Sequence, residues 1–387
     1  MNESIFADFS VEPSEILVVV SGIPALETIL PIIWAEKQNN PHLKAKAVFI
    51  REGTLTGFGK THPLLRLAEE LMDEMLIPFG RGWVHWNGRS ENYKLERLFR
   101  RSTRLTRGLN VWFSASAVED LRALLGPTNR NHVTIFDYAY LESDARYQRY
   151  LKALCGQFAL GVSHASTFSH IPKPSNFIEI RRDGSFFAEC LGSFSAVNRI
   201  VIHFDSMETE LNLNNLCIKL PTIDRFDSGW LTYVNGVFHE KLKGLQAAGP
   251  IGLLVSRPSA KNRSADWHTP DRDLRREALI DIRVTFDKLG LVPVILLHPS
   301  EVRSRRELRG WTVMTDIHYS AMFGLAEHIV TFGSQIAEDS WRMGKRMIEY
   351  GPVRRVAFES EFQKNGKTVA AHSLSGLTKL LVTKSNT

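Results

Sequence analysis

Cysteine is scarce: Cys155, Cys190 and Cys217 are the only three among 387 residues. None belongs to a CxxC pair, so neither a disulfide framework nor a cysteine-ligated zinc site is expected. A reducing cytoplasm is the expected setting. Long hydrophobic runs are also missing. Ile16–Val20 and Val294–Leu297 are the longest, far short of the roughly 18 residues a spanning helix needs. The stretch 23–34 is broken by Glu27 and by two prolines. The N-terminus MNESIFADFSVEPSE is acidic and lacks the basic start of an export signal. No HExxH, GxSxG or GxGxxG occurs, which weighs against a zinc protease, an α/β-hydrolase elbow and a dinucleotide fingerprint. The segment Gly53–Thr61 comes near a phosphate loop, but Thr54 stands where the pattern GxxxxGK[ST] requires its first glycine. A strong excess of one charge is absent too. The net charge of +6 permits contact with an anionic partner and selects none.

What is present is ordinary globular material, 43% hydrophobic and 23% charged, which excludes a disordered or collagen-like chain. At very roughly 150 residues per domain, two or three domains fit. Short β-prone apolar runs alternate with helical segments. Strands are expected at 15–20, 46–50, 110–113, 133–136 and 158–162, with helices over 24–38, 64–75 and 142–154 among them. Residues 178–187 read as a hairpin around Asp183-Gly184, and 199–204 as a strand. A second series starts near 249. It has strands at 249–255, 292–297, 329–331 and 347–350, helices over 271–289, 336–343 and 374–381, and a short helix that closes over 322–327. Gly290 and Gly344 close two of these helices. Such alternation predicts an α/β protein of two Rossmann-like domains facing a cleft. The expected division is 1–205, a join over 206–248, and 249–387. Ligands of such folds lie at the carboxyl ends of the strands.

Chemistry-bearing residues fall at those ends. His298-Pro299 follows the strand at 292–297; an imidazole there can hold a phosphate, although a loop histidine before a turn proline fits equally. Ser334 and Gln335 open the helix after 329–331, as anion ligands or as a plain cap. Asp339 can grip a ribose or polyol hydroxyl or simply complement the helix dipole. Arg257 follows the strand at 249–255 and suits a phosphate. His164 follows 158–162 as a candidate general base. Asp137, Glu142 and Asp144 follow 133–136 as alternative acid or base groups. Arg97, Arg100, Arg101, Arg104 and Arg107 share helical spacing with apolar residues. They suit an anionic membrane surface or a solvated helix face.

Taken in order, these segments resemble the bacterial CDP-glycerol glycerophosphotransferases. Ser163-His164-Ala165-Ser166 is similar to that family's HGT segment. Leu220–Arg225 is similar to its PRND segment and Ser256-Arg257-Pro258 to PTWR. His298-Pro299 matches its HP, and Asp316–Ala321 resembles the acidic start of the following helix. Thr331–Gln335 with Asp339 and Gly344-Lys345 is similar to TDYSS…D…GKP. The likeness spans roughly residues 155–350. Ala165, Phe332, Gly333, Gln335 and Arg346 depart from those patterns. The HP-then-serine arrangement also resembles the bacterial sialyltransferases and capsule Kdo transferases.

The resemblance implies a GT-B-type transferase working on a capsule or other surface polysaccharide. It would move a glycosyl or glycerol-phosphate unit from a cytidine-nucleotide donor to a polysaccharide or lipid-linked acceptor. His164 would be the base. His298, Pro299, Arg257, Ser334, Gln335 and Asp339 would bind the donor, with His298 also catalytic. A CMP-Kdo or CMP-sialic acid transferase would instead draw its base from Asp137, Glu142 or Asp144. No resident cofactor is expected, the activated donor being a substrate, and no metal-ligating residues are assigned. Nor is nucleic acid an expected partner; the expected location is the cytoplasm or the inner membrane face. A non-catalytic protein binding polyanions or membranes, and a nucleotide-sugar epimerase, are the readings of other classes.

Overall fold

The computed structural model describes residues 13–20, 22–50, 62–79, 82–85, 121, 125, 132–137, 150–151, 154, 158–163, 199–204, 227–256, 268–269, 272–298, 307–332, 336–351, 363 and 365–384. The chain divides into two compact units, the first comprising Met1–Lys60 and Leu64–Arg225 and the second Phe226–Thr387 with the short piece Thr61–Pro63.

The first unit is built on β1 (Glu15–Val20), whose residues Ile16 to Val20 are fully buried. A strand apolar on both faces fits only the middle of a covered parallel sheet. A 3₁₀ turn at Ile23–Ala25 leads into α1 (Leu26–Asn39). β2 (Lys44–Phe49), α2 (Pro63–Leu71), β3 (Glu74–Phe79) and β4 (Gly82–His85) follow, then β5 (Val133–Asp137), β6 (Phe158–Ser163) and β7 (Arg199–Phe204). The sheet order is β4-β3-β2-β1-β5-β6-β7. All pairings are parallel except the β3–β4 hairpin at the edge.

The second unit opens with α3 (Ser228–Val237) and α4 (His239–Gln246). The Asp227 carboxylate caps α3, accepting from the amides of Gly229 at 2.8 Å and Trp230 at 3.2 Å. Then come β8 (Ile251–Val255), the two-residue strands β9 (His268–Thr269) and β10 (Arg272–Asp273), α5 (Leu274–Lys288), β11 (Val292–Leu296) and β12 (Thr312–Met314). The chain continues through α6 (Tyr319–Leu325), β13 (Ala326–Thr331), α7 (Ala337–Arg342), β14 (Met347–Tyr350), β15 (Thr368–Ala371) and α8 (Leu374–Lys384). The main sheet is wholly parallel, in the order β12-β11-β8-β13-β14-β15. On one face α5 and α8 bury Leu279, Ile282, Phe286, Leu377 and Leu381 against Leu254, Ile295, Ile348 and Tyr350. Tyr350 also donates a 2.7 Å hydrogen bond to Asp281 of α5. Burial, joined by that bond and the carboxylate charge, pushes its phenol well above its ordinary range.

Both sheets share one plan. The first strand lies in the middle, the next strands (β2, β3 and β4 in one sheet, β11 and β12 in the other) lie successively to one side of it, and later strands to the other, the doubly wound order. The α/β class and the two Rossmann-like units therefore stand.

Several expected boundaries do not hold. The helix expected over 64–75 stops at Leu71, and Glu74–Phe79 is a strand. Asp73 makes the turn: its carboxylate accepts from the Ala45 amide at 2.7 Å and from Lys37 at 2.8 Å. Its own amide donates to the Ala45 carbonyl at 2.8 Å. These bonds draw the chain onto β2 before another helical turn can form. The short helix expected to close over 322–327 starts at Tyr319, capped by His318, and ends at Leu325. Glu327 is strand rather than helix. Residues 110–113 and 178–187 lie outside the described residues, and of 142–154 only Tyr150, Leu151 and Leu154 are described, all helical.

Candidate functional site

In a doubly wound sheet the strand order reverses beside the first strand. Crossovers there leave toward opposite faces and open a crevice at the carboxyl ends. In the second unit that point lies between β8 and β13. β8 runs out into Ser256, 3% exposed, whose amide donates to the Leu296 carbonyl at 3.0 Å. β13 ends at the buried Thr331 and Phe332. β11, next to β8, runs out through Leu297, whose amide donates to the Met314 carbonyl at 3.0 Å, to His298. His298 is exposed at this edge.

Asp339 reaches the same edge from the other side of the reversal. It sits in the first turn of α7, after β13, and is only 3% exposed. Its Oδ2 accepts a 2.7 Å hydrogen bond from the Tyr319 hydroxyl. Tyr319 opens α6, the helix that leads into β13, so its N-terminal end lies at this edge as well. The Tyr319 ring lies 4.4 Å from that of His318 and 5.4 Å from that of Phe323, centroid to centroid. His318 is buried, and its Nδ1 accepts from the Ser320 amide at 3.4 Å, with Ser320 Oγ at 2.7 Å.

Gly344-Lys345 serves a different end. Gly344 takes a φ of +73°, which closes α7. Ser340 Oγ donates to the Lys345 carbonyl at 2.5 Å, and Lys345 Nζ donates to the Ala326 carbonyl at 3.1 Å. Ala326 begins β13, so this lysine ties down the opposite, amino edge of the sheet. Asp316, after β12, is ion-paired with Lys241 of α4.

In the first unit the reversal lies between β1 and β5. Asp137 is the last residue of β5, in register with Val162 of β6, so its backbone is at the carboxyl edge. Glu27 and Thr28, in the first turn of α1 after β1, are 8% and 5% exposed. The glutamate that interrupts the apolar stretch 23–34 is thus a buried side chain at this edge.

His298 and Asp339 therefore come to one sheet edge from two separate crossovers, and Asp137 lies at the corresponding edge of the other sheet. His164, Arg257, Pro299, Ser334, Gln335, Glu142 and Asp144 lie outside the described residues, as do the five arginines over 97–107. The sequence places Tyr319 in the helix-opening segment Asp316–Ala321 but gives it no part in the site. Its signal was the polar run Asp316-Ile-His318-Tyr319-Ser320 ahead of an apolar helix, an N-terminal pattern. Among the described residues no group of three or more His, Cys, Asp or Glu could hold a metal ion. No described helix is long and apolar enough to cross a membrane.

The chain is thus an α/β protein of two doubly wound units, with polar groups at the ligand-bearing edge of each sheet. No protein-family model and no curated protein sequence matches it. Among solved structures it is similar to the E. coli heptosyltransferase WaaC with ADP-2-deoxy-2-fluoro heptose. That match has 14% identity and a TM-score of 0.44, and covers 96% of this chain and 98% of that one. It is also similar to the 2,6-sialyltransferase of Photobacterium sp. JT-ISH-224 in complex with CMP and lactose, at 11% identity and TM-score 0.47, over 97% and 77% of the two chains. A third is the UDP-GlcNAc 2-epimerase of Neisseria meningitidis, at 12% identity and TM-score 0.46, over 96% and 91%. At such identities and scores the likeness carries no activity over to this chain, and the strand orders establish the fold without it.

Proposed function

We propose that this protein is a GT-B-type transferase. It takes a glycosyl or glycerol-phosphate unit from a cytidine-nucleotide-activated donor and passes it to a bacterial surface-polysaccharide acceptor. One observation carries the reading: His298 and Asp339, from different crossovers, stand at the carboxyl edge of a wholly parallel, doubly wound sheet. That edge is where such sheets bind nucleotides. An imidazole suits the phosphate that leaves, and a buried carboxylate suits a hydroxyl of the ribose or of a polyol. Arg257, Ser334, Gln335 and Pro299 complete the donor side in this reading, and His164 removes the proton from the acceptor hydroxyl.

A second reading has one observation in its favour. Asp137 ends β5, beside the strand reversal of the first sheet. A carboxylate base there suits a transferase of CMP-activated acids such as Kdo or sialic acid. Loss of activity in Asp137→Asn with His164→Ala tolerated selects this reading over the first.

The test of the donor is thermal stability with CMP, CDP, UDP, GDP and ADP, each with and without magnesium. A nucleotide at 100 times its Kd stabilises by about 2.7 kcal/mol, a shift of several degrees. A response confined to CMP or CDP supports the proposal; a response to UDP or GDP alone removes the cytidine donor; silence from all five favours a non-catalytic binding protein. His298→Ala is expected to lower turnover of the cytidine-activated donor, read as release of its nucleotide, about 100-fold, the usual cost of losing one preorganised group at a charge that develops. Near-normal release would remove His298 from the site.

A further inference from the structure

We propose that Tyr319 is a positioning residue for Asp339, holding its carboxylate in the one orientation that receives a ribose hydroxyl of the nucleotide. The inference rests on the reading above, in which Asp339 binds a donor hydroxyl.

A carboxylate that recognises a hydroxyl must present an oxygen at a fixed place. A swinging one loses rotamer entropy each time a ligand arrives. The Tyr319 hydroxyl donates to Asp339 Oδ2 at 2.7 Å and so fixes the plane of the group before any ligand binds. An O–H donor to a buried carboxylate also replaces part of the hydration that Asp339, 3% exposed, has given up.

The tyrosine is itself packed against two neighbouring rings. His318 lies 4.4 Å from it at 33°, and Phe323, fully buried, lies 5.4 Å away at 53°. His318 cannot turn away, because Ser320 engages its Nδ1 through both amide and hydroxyl. The chain of constraint therefore runs from Ser320 through His318 and Tyr319 to Asp339.

Its location separates it from ordinary stapling. The same unit contains a second tyrosine–aspartate pair, Tyr350 to Asp281 at 2.7 Å. Tyr350 is 1% exposed and belongs to the apolar core beneath α5 and α8. Tyr319 is only half-buried, and its bond joins the helix before β13 to the helix after it, at the edge where β13 ends.

The test compares CMP with 2′,3′-dideoxy-CMP, which lacks both ribose hydroxyls, by calorimetric titration of the full chain. The wild type is expected to bind CMP about tenfold more tightly, as a charge-assisted hydrogen bond implies. Asp339→Asn should abolish most of that preference. Tyr319→Phe keeps the ring and should reduce the preference several-fold while leaving 2′,3′-dideoxy-CMP binding unchanged. Added to Asp339→Asn, it should do nothing more. A purely structural tyrosine would weaken both nucleotides equally, and that result overturns the inference. So does a wild type that binds the two nucleotides equally, or a Tyr319→Phe variant that retains the full preference. A wild type that binds no cytidine nucleotide fails earlier and removes the functional reading together with the inference.

Discussion

At the scale of the residue, the same substitution has opposite consequences at two glycines. Gly252 is the second residue of β8, an inner strand of the second sheet. A Cβ added there would come within 2.6 Å of the Phe286 ring, which is fully buried among α5, Trp311 and the sheet. The ring cannot move without displacing that core, so Gly252→Ala is expected to cost about 1–3 kcal/mol, read as a melting temperature lowered by several degrees. Gly244 is an exposed helical residue of α4, and a Cβ there would meet nothing within 4 Å. Gly244→Ala is expected to raise stability by up to about 1 kcal/mol, because alanine loses less backbone freedom on folding. Two thermal melts check both. A Gly252→Ala protein as stable as the parent would mean that α5 can lift from the sheet.

At the scale of the element, Asp73 governs where α2 ends and β3 begins. Partial burial pushes its carboxyl up, but the bond from Lys37, the Ala45 amide and the lysine charge together hold it below its ordinary value. The carboxylate is thus favoured in the fold, and its contribution is fully present above the ordinary aspartate range. It fades as pH falls through the lowered folded value. Asp73→Asn is expected to lower the melting temperature by about a degree or two at pH 7, as for a largely exposed pair. That difference should close as the pH falls through the lowered folded value; a difference that persists or widens in acid would show that the charge is not what holds the turn. The same element marks the limit of the sequence pattern. Leu64–Met75 keeps helical spacing to its end, and nothing local says that Asp73 will bond to a strand 28 residues earlier. β12 and β15 were missed for a related reason. Thr312 and Val313 are exposed and Val369 and Ala370 only half-buried, so neither strand shows the continuous apolar run that reveals β1 and β8. Conversely, Gly290 and Gly344 do adopt the positive φ that their place after a helix suggests.

At the scale of the whole molecule, alternation of short apolar runs with helices was enough to read two Rossmann-like units, because covered parallel strands announce themselves by composition. That His298 and Asp339 lie toward a carboxyl edge was legible for the same reason, each falling in the crossover after a strand that could be recognised. Tyr319 was not, since its role depends on a hydrogen bond across 20 residues. The second unit has a complete doubly wound sheet, with α5 and α8 on one face and α3 and α4 lying against α6. A core of this extent, in a chain of some 160 residues, buries enough surface to fold independently. Residues 226–387 alone are therefore expected to unfold cooperatively and, if His298, Asp339 and the other donor-side residues named above bind the nucleotide, to retain the CMP response. The Kd should stay within about tenfold of the full chain, or 1.4 kcal/mol. Calorimetric titration of the two chains side by side decides the matter. A well-folded second unit that has lost more than that would show that the first unit supplies donor contacts of its own, and would turn the search toward Asp137 and Glu27 at the edge of its sheet.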